Sequence, residues 1–375
     1  MRVTILIHSL GCGGAERVAC ILANGLRRGG HDVTVVTLEG PHVPAYPLRQ
    51  DVTLAQLGAC GPRRSPWDTP CRYHRQVQRV THALRRAQPD VLIGFMTGTN
   101  VLGILSARVF ARLPCRVVVS ERVHPSLTNR RGIACAARVL TFPLADVIVP
   151  CSVGMAPWFT AWLPARKVVP IQNPVLLGDR PPDPIAEARA AAMQGQHWVL
   201  GMGRLDTQKG FDMLLEAFAR VPGDVRAGWR LGIIGEGEMC GDLERCIRAL
   251  GLEGEAVLLG RFANPYPLLR AGKIFALSSR YEGFPNALTE AMACGMASVA
   301  FDCPTGPGEI IRQGEDGLLV RAGDVAEMSG ALGRLMTDEG LREGLARRAP
   351  EVLERFSERR FLDEWETLVG QVRQV

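Results

Sequence analysis

Val3-Thr4-Ile5-Leu6-Ile7 is an apolar run with no regular polar alternation. A strand reads this way when both its faces are buried, as they are in a parallel sheet covered by helices on either side. The run feeds Gly11-Cys12-Gly13-Gly14-Ala15-Glu16, after which Val18, Ala19, Ile21, Leu22 and Leu26 return at helical spacing before Gly29-Gly30. Apolar runs of this kind recur at 32–38, 91–95, 116–120 and 146–149, and again at 197–202, 230–235, 257–260, 273–277 and 317–320. Strands alternating with helices predict an α/β architecture. A length of 375 residues fits two such domains. Residues 41–70, rich in Pro, Gly and Arg, read as long loops; Ser152 reads as the start of a helix reaching about Leu163; and 181–196, rich in Pro and Ala, reads as a connector.

Composition excludes several classes. At 47% hydrophobic and 22% charged the chain is ordinary globular protein. Its 11 cysteines form no Cys-x-x-Cys pair, which argues against a zinc or redox motif and for reduced thiols. The apolar start runs straight into a Gly turn, so it reads as a strand rather than a signal peptide. No run is long enough to span a bilayer. Charge is uneven: residues 1–170 hold 21 Lys+Arg against 8 Asp+Glu, and the remainder holds 23 against 30. A basic half beside an acidic half suggests an anionic partner for the first.

The chemistry concentrates in Arg280-Tyr281-Glu282-Gly283-Phe284-Pro285-Asn286-Ala287-Leu288-Thr289-Glu290. A strand at 273–277 precedes it, and Ala287, Leu288, Ala291 and Met292 have helical spacing. Glu282 is therefore expected in the loop leaving a strand and Glu290 one to two turns into the next helix. The amides from Gly283 to Leu288 lie between them at a helix N-terminus, where unpaired N–H groups and the macrodipole favour a phosphate. A carboxylate at each end of an anion site suits a nucleotide sugar. A second candidate is the helix over 72–88. Val77, Val80 and Leu84 make its apolar stripe, and Arg75, Arg79, His82 and Arg86 a cationic stripe on another face. That face is either solvated or meets an anionic membrane surface or a lipid-linked pyrophosphate.

Glu-x7-Glu after a strand resembles the signature of retaining glycosyltransferases of the GT-B type, group 1 or family four. Gly203-Arg204-Leu205-Asp206-Thr207-Gln208-Lys209-Gly210 matches that family's Gly-Arg-Leu-x-x-x-Lys-Gly loop. The resemblance implies two Rossmann-like domains facing a cleft, with the C-terminal helix packing back on the N-domain. The expected boundaries are 1–172, 173–350 and 351–375. Arg204 and Lys209 would clamp the donor pyrophosphate, and Arg261 and Phe262 would stand where the family holds the base. Gly283, Phe284, Pro285, Asn286, Ala287, Leu288 and Glu290 would complete the donor site, with Glu290 on the ribose. Gly13 and Gly14 would approach the donor phosphate or the acceptor.

Two further segments, Ser120-Glu121-Arg122-Val123-His124-Pro125 and 302–311, resemble a bacterial subgroup acting on polyprenyl-linked glycans. This implies a UDP-linked donor, a lipid-linked glycan acceptor and a cytoplasmic enzyme peripheral to the inner membrane face. Glu282 would orient the transferred sugar, and His124 or Glu121 would position the acceptor hydroxyl. Glu16, Arg75, Arg79, Arg86 and Arg122 would serve the acceptor. No Asp-x-Asp is present, so neither a metal nor another cofactor is expected. A dehydrogenase would want Gly-x-Gly-x-x-Gly, which neither glycine-rich turn provides. A nucleic-acid-binding protein would want aromatic platforms, and aromatics are only 6%. A sugar-nucleotide epimerase of the same fold is the nearest enzymatic rival.

Overall fold

A computed structural model describes residues 1–59, 68–125, 133–178 and 180–371. The chain divides into two compact units, Met1–Pro174 with Glu358–Val375, and Val175–Ser357. In the first, β1 (Arg2–Ile7), β2 (Asp32–Thr37), β3 (Thr53–Gln56), β4 (Val91–Phe95), β5 (Arg116–Glu121) and β6 (Val147–Pro150) form one parallel sheet. Its order is β3-β2-β1-β4-β5-β6, and Val3 stands between Val33 and Val91. In the second, β7 (His197–Met202), β8 (Trp229–Ile234), β9 (Ala256–Gly260), β10 (Ile274–Leu277), β11 (Ala297–Asp302) and β12 (Leu318–Arg321) are also parallel. Their order is β12-β11-β10-β7-β8-β9, with Val199 between Leu231 and Ile274. Each order reverses once, at β1/β4 and at β7/β10. Ligands in open α/β sheets bind outside the carboxyl ends of the strands at such a reversal.

The structure corrects the sequence expectations in four places. β3 lies inside 41–70, a stretch read as loops; it is a short edge strand whose residues past Thr53 are half-buried, so its apolar signal is weak. Residues 60–67 of that stretch lie outside the described residues. β11 is buried but built largely from small residues, Ala-Ser-Val-Ala-Phe-Asp, which mute the same signal. The helix expected from Ser152 to about residue 163 is a 3-10 turn, Val153–Met155, followed by the short helix Ala156–Thr160. Pro157 has no N–H to continue the earlier turn and sits instead at a helix start. The segment 181–196, read as a connector, holds the helix Pro184–Ala192. Its start follows the rules for helix entry, with an Asp cap, Pro in the first turn and alanines behind.

The C-terminal helix Glu358–Gln371 packs on the first helix, Gly14–Arg28. Phe361, Trp365, Leu368 and Val369 are its buried face. Gly25 makes the approach possible, because a Cβ there would lie 2.1 Å from Leu362 Cδ2. His31 Nε2 meets Glu366 Oε2 at 2.7 Å, and Arg28 pairs with Glu358. Among the described residues no helix is long and apolar enough to cross a membrane.

Asp183 serves two elements at once. Oδ1 accepts from the Ile185 and Ala186 amides at 3.1 Å, and Oδ2 from Ala263 N at 2.8 Å and Asn264 N at 3.3 Å. These bonds, Ala186 first, hold its carboxyl below the usual carboxylate range. A carboxyl depressed in the folded state stabilises above its unfolded pKa and loses that contribution as pH falls through the folded value. Asp183→Ala should lower unfolding free energy by about 1–2 kcal/mol at pH 7 in urea titrations. The difference from wild type should shrink as pH drops below about 4. Asp183→Asn should fall between, keeping the cap but turning an amino group toward the Ala263 and Asn264 amides.

Candidate active site

The reversal between β7 and β10 is where the loops after these two strands meet. In the first loop Asp206 Oδ1 accepts from Lys209 N at 3.2 Å, capping the turn Thr207–Lys209. Gly210 follows with φ 62°, and a Cβ there would lie 2.2 Å from Ser278 O. Only glycine both tolerates that dihedral and lets the two loops touch. They are then laced. Ser278 Oγ donates to Lys209 O at 2.9 Å, Arg280 N to Gln208 O at 2.8 Å, and Gln208 Nε2 to Tyr281 O at 3.0 Å. Arg280 grips Asp212 with both terminal nitrogens, at 2.9 and 2.6 Å, which lowers the Asp212 carboxyl.

This lacing delivers Lys209 Nζ to Glu282 Oε1 at 2.5 Å, with side chains 16% and 6% exposed. Ser279 Oγ donates to the same carboxylate oxygen at 2.7 Å. A third loop, after β11, adds Thr305 Oγ1, which donates to Glu282 O at 2.6 Å. Cys303 in that loop is buried, and burial, helped by the Glu282 charge, pushes its thiol up to about 12. It is a neutral thiol, not a nucleophile. Arg204 reaches outward, 71% exposed, with Nε 3.2 Å from Asp206.

Gly283, Phe284 and Pro285 are buried and lead into the helix Asn286–Ala293, with Asn286 and Ala287 half-buried. Phe284 is seated against Phe356, ring centroids 5.3 Å apart. Leu288 and Glu290 are buried in the helix, and Glu290 Oε1 lies 3.6 Å from Arg180 Nη2. The second half therefore gathers Lys209, Glu282 and the Asn286 helix start at the carboxyl edge of its sheet, with Glu282 in the loop leaving a strand and Glu290 in the next helix, as the spacing predicts. Arg261 lies in the loop after β9, paired with Glu236 at 2.7 Å, and Phe262 beside it is half-buried.

In the first half, Gly13 caps the helix Gly14–Arg28, and a Cβ on it would lie 2.1 Å from Glu16 Oε2. The Glu16 carboxylate thus folds back over its own helix start. At the end of β5, Glu121 is only 1% exposed. It accepts from Thr97 Oγ1 at 2.9 Å and Asn100 Nδ2 at 2.8 Å, and Arg138 is 3.7 Å away. Burial raises its carboxyl, against the charge of Arg138. Arg122 is enclosed too, over the Phe95 ring and donating to Ser120 Oγ and Asn173 Oδ1, and burial lowers it. His124 is half-buried in the loop beyond. Arg75, Arg79 and Arg86 are exposed on the helix Asp68–Ala87, but Arg79 Nη1 is committed at 2.6 Å to the carbonyls of Leu57 and Gly58.

Residues 12–177 match the family described as Glycosyltransferase Family 4, and 196–338 that described as Glycosyl transferases group 1. The chain belongs to the group 1, family 4 glycosyltransferases. It is 24% identical to a Campylobacter jejuni alpha-1,4-N-acetyl-D-galactosaminyltransferase named for an undecaprenol-diphosphate glycan, over 100% of this chain and 99% of that protein. It is 34% identical over 78% of its length to an exopolysaccharide phosphotransferase of Streptomyces coelicolor, of which it spans 30%. Anabaena HepE, solved with UDP and glucose, superposes with TM-score 0.79 over 99% of this chain and 100% of that one at 19% identity. The fold is GT-B, and this glycosyltransferase acts in polysaccharide or glycan biosynthesis.

Sequence reasoning missed Ser279, Thr305 and Arg180 around the two glutamates, and Thr97, Asn100 and Arg138 around Glu121. The available signal was weak: Ser278-Ser279 are polar residues ending an apolar strand, at the ligand edge. Lys209→Met strands a buried Glu282 and should cost about 3 kcal/mol in denaturant titration. The double variant Lys209→Met/Glu282→Gln should recover most of that loss; strict additivity would mean the pair does not couple.

Proposed function

We propose that this glycosyltransferase moves a hexose or N-acetylhexosamine from a UDP-linked donor to a polyprenyl-diphosphate-linked glycan, with retention and without a metal. The observation that carries the donor reading is the Lys209–Glu282 pair at the β7/β10 reversal, beside the start of the Asn286–Ala293 helix. Lys209, Arg204 and that helix start are cationic or partly so, and suit the charge that develops on a leaving diphosphate. Glu282, tied to Lys209 and Ser279, is a poor nucleophile and a good orienting carboxylate. In the step we favour, the acceptor hydroxyl oxygen bonds the anomeric carbon as the carbon–oxygen bond to the diphosphate breaks. The leaving diphosphate oxygen takes the hydroxyl proton. Both events occur on one face of the sugar, so configuration is kept.

Glu290 is assigned to the ribose and the loop at Arg261 and Phe262 to the base. His124 is assigned to the acceptor hydroxyl, with enclosed Glu121 bracing its loop from behind. The lipid-linked acceptor rests on the Campylobacter relative's name and on the basic first half. The same features support a cytoplasmic enzyme held peripherally at the inner membrane face.

Initial rates with a UDP-sugar, EDTA present, test the donor reading: Glu290→Ala should raise donor KM at least tenfold. A near-normal KM would sink the ribose assignment. Replacing Arg75 and Arg86 together, sparing the structurally engaged Arg79, should reduce transfer to a polyprenyl-linked acceptor several-fold more than donor hydrolysis. Equal losses would make the stripe a solvated face.

A further inference from the structure

The chain entering the second unit is tied at Leu176, Arg180, Pro181 and Asp183 to the loop after β9 and the start of the helix that follows it, Tyr266–Ala271. Tyr266 Oη donates to Leu176 O at 3.0 Å, and Asn264 Nδ2 to Pro181 O at 3.2 Å. Asp183 takes the Ala263 and Asn264 amides. Arg180 stands in the middle of this seam, its side chain 15% exposed. Its guanidinium lies over the Tyr266 ring, 5.5 Å from the centroid. Nη1 donates to Ala263 O at 3.1 Å, while Nη2 faces Glu290 Oε1 at 3.6 Å.

We infer that Arg180 is a positioning residue for nucleoside recognition, joining Glu290 to the loop that follows β9. The inference deepens the donor reading above and rests on it. Three features carry it. Glu290 is 4% exposed, and a carboxylate so enclosed needs polar partners to offset its desolvation and fix its aim. Arg180 is one such partner and comes from a different segment of chain, so the carboxylate's orientation depends on that segment as well as on its own helix. The same group holds the Ala263 carbonyl, two residues beyond Arg261, and its cation–π contact with Tyr266 helps hold it there. One side chain therefore sets the spacing between the group assigned to the ribose and the loop assigned to the base. Lysine could supply the charge but not the fork of donors that reaches both Ala263 O and Glu290.

Titration calorimetry with UDP and with UMP, together with steady-state kinetics, tests this. Arg180→Ala should weaken UDP and UMP about equally, tenfold or more, because the nucleoside end is common to both. Donor KM should rise in parallel while kcat stays within about threefold. Arg180→Lys should lie between. Arg204→Ala is the contrast, weakening UDP much more than UMP. If Arg180→Ala binds UDP within twofold of wild type while Glu290→Ala does not, the inference falls and the donor reading stands. If Glu290→Ala also binds normally, or wild type ignores UDP, both fall. A parallel loss of kcat, affinity and melting temperature, unrelieved by lysine, would mark Arg180 as a structural tie and overturn the proposal.

Discussion

The ion pair between Lys209 and Glu282 is the contact on which the second unit's site depends. Two charges in so enclosed a place cost desolvation energy, and their attraction offsets it only if the geometry is good. Everything around the pair secures that geometry. Gly210 lets the two loops touch, Ser278 and Arg280 stitch them, Ser279 and Thr305 hold Glu282 at both ends, and Arg280 is anchored on Asp212.

The fold was legible because buried parallel strands are near-continuous apolar runs, and most of the observed strands coincide with such runs within a residue or two. The two that escaped are those in which this signal is weak: β3 at a half-buried edge, and β11, where alanine and serine do the packing. The connector error has a different source. By composition, Pro and Ala over 181–196 look like a connector, whereas by position Asp183-Pro184 followed by alanines is a helix start.

The candidate site was legible in its charged members but not in their surroundings. Glu282, Glu290 and Lys209 lie on motifs with fixed spacing. Of their partners, Ser279 stands in Glu282's own loop with no motif to mark it, while Thr305 and Arg180 come from other segments that only folding brings near. The end of β5 teaches the converse. A charged residue where a parallel strand ends is usually read as facing a ligand, yet Glu121 and Arg122 are enclosed and hydrogen-bonded within their own unit. Their spacing carried no hint of Asn100, Arg138 or Asn173, the groups that make their burial tolerable.

The return of the helix Glu358–Gln371 to the first unit has a bearing on how the molecule comes into being. Synthesis proceeds from the N-terminus, yet the surface of the Gly14–Arg28 helix around Gly25 stays uncovered until Leu362 has been made. The second unit is continuous, and all its strands are available before the last helix leaves the ribosome. The half begun first is therefore completed last. During that interval an apolar helix face is open to wrong partners, the situation in which nascent multidomain chains are prone to misassemble.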